Sequence, residues 1–329
     1  MKAVVQEGYG PPEVLRLAEV PRPRAGKGEV LIRVAAAGVD RGTWHLMAGR
    51  PYVVRLALGL RRPRNPRVGQ DVAGTVAAVG PGVTGFAVGD AVYGVAPGSF
   101  AEYAVARADR IVHKPARLGF EEAGVVAVSG LTALQGLRDV GRVRPGQHVL
   151  VLGASGGVGT FAVQVAKALG AEVTGVCSTA KTELVRSAGA DHVIDYTRAD
   201  FAAGGRRYDV ILDIGGSSSL SRLRRALVPR GTLVIAGGED AGDWIGLGRQ
   251  FHAVVLSPFV RQRLTMFVAK TRRADLEALN ELVAAGRLTP VVGAAYALAD
   301  VPEAVRLLAA GQARGKTAIT VRPAEPGRP

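Results

Sequence analysis

The chain is poor in cysteine, in aromatic residues and in carboxylates. Cys177 is the only cysteine in 329 residues, which excludes an intrachain disulfide and any multi-cysteine zinc lobe and suits a reducing compartment. Phe, Trp and Tyr together make up 5% of the residues, so a surface that stacks nucleobases on interleaved aromatic and basic side chains is not expected. Asp and Glu number 28 against 42 Lys and Arg, a formal net charge of +14. An excess of that size suits a nucleic acid or an anionic membrane surface, but the basic residues are scattered and are mostly arginine. The one local cluster, Arg55, Arg61, Arg62, Arg64 and Arg67, is broken by Pro63 and Pro66. It reads first as a solvated loop or pocket rim, with an anionic partner or substrate as the alternative. Long apolar runs are absent too. No uncharged stretch reaches the ~20 apolar residues of a membrane span free of glycine, and the opening MKAVVQEGYGPPEVL has no continuous apolar segment of the secretory-leader kind. A cytoplasmic protein without membrane insertion is the expectation, with nucleic acid not favoured as a partner. The length accommodates two domains, each with its own core.

What is present is concentrated in one segment, VLVLGASGGVG at residues 149–159. An apolar run suited to a parallel strand covered on both faces breaks into a glycine-rich turn and opens an apolar-periodic helix at 160–169. Gly153, Gly156 and Gly159 let the backbone turn tightly and approach a pyrophosphate, and the helix offers its N-terminal amides and positive dipole end. A second strand follows at 172–177. After it, where an NAD-binding chain places a carboxylate against the ribose hydroxyls, the sequence reads Cys177-Ser178-Thr179-Ala180-Lys181. Hydroxyls and a cation bind a 2′-phosphate that a carboxylate would repel, so NADPH is the expected cofactor. The alternative is that Ser178 and Thr179 cap the next helix beside a solvated Lys181.

Short alternating strands and glycine turns fill the first third, at 2–6, 29–36, 72–79 and 91–95, and suggest a compact antiparallel barrel-like domain. From about residue 121 helices and strands alternate: helix 130–139, strand 147–152, helix 160–169, strand 172–177, helix 181–187, then strands 192–195, 208–214 and 232–236. That is doubly wound α/β architecture. A loop is expected over 237–258. The segments 274–285, 290–297, 301–310 and 316–321 then look like a return to the first domain, ahead of a frayed Pro- and Gly-rich tail.

The order of GASGGVG, CSTAKTELVRSAGADHVIDY, YDVILDIGG, LVPRGTLVIAGG and a terminal RGKTAITV, after GQDVAG, GPGV and VGD in the first domain, resembles the zinc-independent quinone oxidoreductase branch of the medium-chain dehydrogenase/reductase superfamily. Trp44 through Arg50, with Pro51 and Tyr52, further resembles its reticulon-4-interacting subgroup. The resemblance covers nearly the whole chain. It implies an α/β fold in which a GroES-like β-rich catalytic domain (1–122 and 267–329) carries an inserted doubly wound Rossmann domain (123–266), with the active site in a cleft between them. It also implies a homo-oligomer, with a dimer the expectation. In the zinc-dependent alcohol dehydrogenases a cysteine ligand stands at the position of Asp40 and a His-Glu pair at Gln70-Asp71. Thiolate and imidazole are both missing here, and His45, His113, His148, His192 and His252 have no paired ligand spacing, so no metal is expected.

By the same resemblance, Ser155, Gly156, Gly157 and Val158 cradle the pyrophosphate, Ser178 and Lys181 take the 2′-phosphate, Tyr196 lies near the adenosine phosphate, and Thr132 lies near the nicotinamide. Gly237 and Phe259 match cofactor-side loops, and Lys316 in the RGK motif could reach the cofactor. Asp40, Trp44, His45 and Tyr52 are the candidate catalytic residues at the acceptor end. Asp40 departs from the family's usual asparagine, because an ionised carboxylate accepts hydrogen bonds and repels a developing oxyanion; Tyr52 is the better donor and His45 the second. Without zinc to acidify an alcohol, a quinone or an α,β-unsaturated carbonyl suits this site, since each delocalises the incoming charge onto oxygen. The expected activity is NADPH-dependent hydride transfer to such an acceptor. The alternatives are a dedicated reductase of a biosynthetic intermediate, and an NADPH-responsive regulatory or RNA-binding protein without turnover.

Overall fold

The computed structural model describes residues 1–237 and 248–321. The chain divides into two compact units. One comprises Met1–Ser129, Thr271–Ala284 and the chain from Pro290 onward; the other comprises Gly130–Lys270 with Ala285–Thr289. These units divide at 129/130 and 270/271, beside the boundaries expected at 122/123 and 266/267. The first crossing lies inside the helix Ala127–Leu134, whose small apolar residues continue the composition on either side and give no punctuation to read.

In chain order the strands are β1 (Lys2–Val5), β2 (Arg16–Glu19), β3 (Glu29–Val39), β4 (Asp71–Val79), β5 (Ala91–Val95), β6 (Tyr103–Arg107), β7 (Ile111–His113), β8 (His148–Leu152), β9 (Glu172–Cys177), β10 (His192–Asp195), β11 (Tyr208–Asp213), β12 (Leu227–Ile235), β13 (Arg263–Met266), β14 (Val292–Ala297) and β15 (Lys316–Thr320). In the first unit the 11-residue β3 organises the sheet. It pairs antiparallel with β4, β6 and β15, and β4 continues through β5 to β7. Val30, Ile32 and Val34 of β3 close one core with Val72, Val76, Phe86, Val92 and Ile111. Farther along β3, Ala37 and Val39 enter a second core with Met47, Phe100, Val301, Val305 and Ile319. Each fully buried side chain of the larger kind contributes roughly 1.5–3 kcal/mol.

The second unit is a six-stranded parallel sheet in the order β10-β9-β8-β11-β12-β13. Counted within the unit this is 3-2-1-4-5-6, the doubly wound order in which ligands bind at the carboxyl ends of the strands where the winding reverses. β8 is buried at every residue after His148, as a strand covered on both faces requires. The loop expected over 237–258 contains a helix, Gly248–Leu256, that packs Ala253 into the unit's core. Its sequence hides the period because Phe251, Val254 and Val255 lie on the exposed side. The helix expected at 130–139 starts at Ala127 and passes at Gln135 into a π-helical turn ending at Val140. Among the described residues no helix is long and apolar enough to cross a membrane.

Candidate active site

The turn after β8 is built around three glycines with different duties. Gly153 takes φ +81°, the left-handed region that favours glycine. Gly159 lies so close to the strand end that a Cβ there would stand 2.1 Å from the Gly153 carbonyl oxygen and 2.6 Å from the Ala154 carbonyl carbon. Gly156, the N-cap of the helix Gly157–Ala168 at φ −82° and ψ 178°, is different: a Cβ there meets only the Gly153 oxygen, at 3.4 Å. Gly156 therefore leaves open space at the turn that the protein itself does not fill. It sits before the first turn of a 12-residue helix, whose leading amides have no intrahelical acceptor and carry the positive dipole end. Ser155 is buried at this turn, and Gly156, Gly157 and Val158 are half-buried. These features fit an anionic, pyrophosphate-like group.

Ser178, Tyr196 and Gly237, three further expected cofactor residues, follow β9, β10 and β12 at the carboxyl edge of the same sheet. Ser178 follows β9; it occupies the N-cap position of the turn Thr179–Lys181 but makes no side-chain cap hydrogen bond, so the capping alternative does not use its hydroxyl. Lys181 is half-buried, and its charge acts on the Cys177 thiol. That thiol is pushed up chiefly by burial and then by the Asp195 carboxylate, which keeps it in the neutral, unreactive form. Asp195, ending β10, accepts hydrogen bonds from the Thr179 and Thr197 hydroxyls, and those contacts hold its carboxyl below the usual carboxylate range. Tyr196, next along, is 59% exposed. Gly237 follows β12 and packs backbone to backbone on Ile214, where a Cβ would stand 2.0 Å from the Ile214 oxygen. Thr132 is half-buried on the helix Ala127–Leu134.

Two expected residues lie elsewhere. Phe259 is 81% exposed and precedes β13, so it stands toward the amino ends of the parallel strands, away from the glycine turn. Lys316, at the start of β15, is buried, with its ammonium 3.1 Å from Asp71 Oδ2 at a pair whose side chains are 1% and 0% exposed. Its charge is spent inside the first unit.

That pair lies beside the residues expected at the acceptor end. β3 and β4 set Gly38 opposite Asp71, which brings Asp40 and Gln70 alongside. Asp71 Oδ1 accepts from the Val128 amide at 2.7 Å while Oδ2 faces Lys316. Burial, opposed by Lys316 and helped by the Asp40 charge, moves its carboxyl up to about 6. Asp40 is the N-cap of the helix Arg41–Ala48, its Oδ1 accepting from the Thr43 amide at 2.7 Å; its buried Oδ2 has no hydrogen-bond partner. Trp44 leans on the core around Met47 and meets His45 edge to face at 5.0 Å. His45 Nδ1 lies 3.1 Å from the Arg50 carbonyl oxygen. Tyr52 packs against the Arg55 guanidinium at 4.6 Å. Asp40, Trp44 and His45 thus share one short helix, and Tyr52 stands on the turn after it. Among the described residues no group of three or more His, Cys, Asp or Glu is placed to hold a metal ion.

Sequence reasoning missed Arg249. It donates to Asp213 Oδ2 and, at 2.9 Å, to the Ser218 carbonyl oxygen, while Asp213 Oδ1 accepts from the Gly216 amide. The pair shapes the loop that leaves β11 beside the glycine turn. Asp213 is legible as a polar residue closing an apolar strand, but its partner lies in the segment expected to be loop.

A parallel sheet wound in this order with a glycine turn at its reversal, in a chain that also carries a β-rich unit, defines a nicotinamide-type dehydrogenase or reductase. The comparisons give the family. Residues 26–116 match the alcohol dehydrogenase GroES-like domain and residues 188–319 the domain described as zinc-binding dehydrogenase. The chain is 32% identical to the chloroplastic quinone-oxidoreductase QR1 of Triphysaria versicolor, over 97% of this chain and 98% of that one. It is 34% identical to the mitochondrial NAD(P)H oxidoreductase RTN4IP1 of Mus musculus, over 98% and 89%. Among solved structures, a mycobacterial protein complexed with NADPH superposes with a TM-score of 0.83 at 30% identity, covering 98% of this chain and 100% of that one. The chain belongs to the quinone oxidoreductase branch of the medium-chain dehydrogenase/reductase superfamily, and it is an oxidoreductase of the NAD(P)H-dependent kind.

Proposed function

We propose that this protein transfers a hydride from NADPH to a quinone or an α,β-unsaturated carbonyl, without zinc. The observation that carries the reading is the open space at Gly156, set at the N-terminus of the helix Gly157–Ala168 at the reversal point of the sheet. A bound NADPH would supply the hydride from its reduced nicotinamide. The leading amides of the helix hold the pyrophosphate. Ser178, whose hydroxyl is not used as a cap, and Lys181 receive the 2′-phosphate, which favours NADPH over NADH. The solved relative complexed with NADPH is consistent with that choice.

The donor set argues against zinc. Of the three positions where the zinc-dependent enzymes differ, Asp40 caps a helix, Gln70 is a neutral amide, and Asp71 is ion-paired with a buried lysine. Asp71 thus already faces a lysine ammonium, and Asp40 offers a single unpartnered oxygen, a poor set for a tetrahedral cation. Reduction then rests on positioning and on hydrogen bonding to the acceptor oxygen, with Tyr52 and His45 as the proposed donors. Asp40, whose Oδ2 is unpartnered, favours a second reading: a carboxylate beside the acceptor opposes turnover of simple oxyanions and suits either a dedicated intermediate with its own donor or an NADPH-responsive binding role. A cytoplasmic location and a dimer belong to the proposal as well; the two curated relatives named above are chloroplastic and mitochondrial.

The test is NADPH consumption by chelator-treated protein against a panel of quinones, 2-alkenals and enones, with NADPH and NADH affinities measured in parallel. Selective turnover with NADPH is expected. Tight NADPH binding with no turnover on any acceptor would move the reading to cofactor sensing.

A further inference from the structure

Between Asp40 and Asp71 the chain carries seven arginines (Arg41, Arg50, Arg55, Arg61, Arg62, Arg64 and Arg67) and no Asp, Glu or Lys. Thirty residues therefore supply +7 of the net +14. The structure sorts these arginines. Arg55 is internal: its guanidinium lies 4.5 Å from the Tyr9 ring centre and 4.6 Å from that of Tyr52, and its Nε donates to the Gly49 carbonyl at 2.9 Å. Arg61, Arg62 and Arg64 are exposed, and no ion pair among the described residues involves them or Arg67. The same stretch presents apolar side chains to solvent, with Leu56 69%, Leu60 68% and Val53 42% exposed. The Tyr9 hydroxyl fastens the segment from beneath by donating to the Gly59 carbonyl at 2.7 Å, and the Arg64 amide donates to the Leu58 carbonyl at 2.7 Å. A short helix, Arg55–Leu58, and its following turn thus hold two leucines outward within a few residues of three unpaired arginines.

We propose that this segment docks the protein on an anionic lipid bilayer, with Leu56 and Leu60 entering the headgroup–acyl boundary and Arg61, Arg62 and Arg64 meeting lipid phosphates. The charge selects the occupant. A segment with no carboxylate over thirty residues repels a second copy of itself, and a nucleic acid groove does not explain two exposed leucines at its centre, whereas a membrane surface uses both. The inference is independent of turnover, because it is read without cofactor or acceptor. If the reductase reading also holds, an acceptor dissolved in the bilayer would reach a segment that carries Tyr52.

The experiment is co-sedimentation of the whole protein with vesicles of equal parts phosphatidylglycerol and phosphatidylcholine, beside vesicles of phosphatidylcholine alone. The wild type is expected to partition onto the anionic vesicles and to come off with salt. The variant R61Q/R62Q/R64Q should bind roughly a hundredfold more weakly, at about fivefold per arginine near the surface, and L56Q/L60Q on the order of tenfold more weakly. Both variants should keep the wild-type melting temperature and NADPH affinity, which separates this test from that of the reductase reading. Equal binding to neutral and anionic vesicles, or full anionic binding by L56Q/L60Q, overturns the proposal; the latter marks a general polyanion site, which competition by duplex DNA would identify. A change of sedimenting mass in L56Q/L60Q overturns it in favour of self-association.

Discussion

Adding one methyl group at Gly159 and at Gly156 should give opposite results. In Gly159→Ala the new Cβ stands 2.1 Å from the Gly153 oxygen and within 2.7 Å of the Ala154 backbone. Those are main-chain atoms of a turn fixed between β8 and the helix Gly157–Ala168, so relief requires moving the helix by an ångström or more. Overpacking of this kind costs about 1–3 kcal/mol, and a backbone neighbour puts the case at the upper end. In Gly156→Ala the Cβ finds one atom at 3.4 Å, and φ −82° is open to alanine. Stability should stay within about 0.5 kcal/mol of wild type or rise slightly, because the unfolded chain loses freedom. The methyl group, however, enters the open space proposed for the pyrophosphate, and NADPH affinity should fall at least about tenfold. Urea unfolding and fluorescence titration with NADPH separate the two effects. If Gly156→Ala bound NADPH as tightly as wild type, the open space would not be the phosphate site. If Gly159→Ala unfolded at the wild-type urea concentration, the close approach would not be real.

Other perturbations test the remaining parts. Lys316→Met leaves Asp71 as a buried carboxylate without its ammonium and should cost about 3–5 kcal/mol at neutral pH in urea unfolding; the loss should shrink near pH 5, where Asp71 is protonated. Because the folded carboxyl of Asp71 is raised from 3.8 to about 6, the native state binds that proton more tightly than the unfolded chain. Its contribution is therefore a stability that falls as pH rises from about 4 to about 6 and is flat above, and calorimetry on Asp71→Asn should show that slope removed. Lys181→Ala should weaken NADPH by roughly tenfold and NADH little; equal losses would remove the 2′-phosphate assignment. Asp40→Asn keeps an oxygen for the Thr43 amide and gains a donor, so stability should stay within about 0.5 kcal/mol while turnover with enones rises. A fall in turnover would give Asp40 a positive role in the reaction.

The parts of this protein that are local in sequence were legible there. The strand, glycine turn and helix at 149–168 declare themselves because period, glycine spacing and strand–helix order agree within twenty residues, and β5, β9 and β10 have the bounds their patterns suggest. The helix Gly248–Leu256 was lost because most of its apolar residues face outward, so hydrophobic periodicity does not point to a core. Lys316 and Asp71 are 245 residues apart, and nothing in a terminal RGK motif says that its lysine turns inward. Asp40 is both a chemical departure from asparagine and, directly before a helical stretch, an N-cap signal, and its side chain serves the second role. The arginine run was visible as charge, while its sorting into an aromatic-stacked Arg55 and an outward group beside Leu56 and Leu60 required the packing of Tyr9.

Hydride transfer is checked by following the hydride itself. Chelator-treated protein would be given NADPH deuterated at the transferable position and an enone, with the product read by mass spectrometry. The account predicts one deuterium on the carbon β to the carbonyl, formed without added metal and lost in parallel with NADPH affinity in Gly156→Ala. Bound but unconsumed NADPH across the acceptor panel, or label transfer that appears only when zinc is supplied, would contradict it.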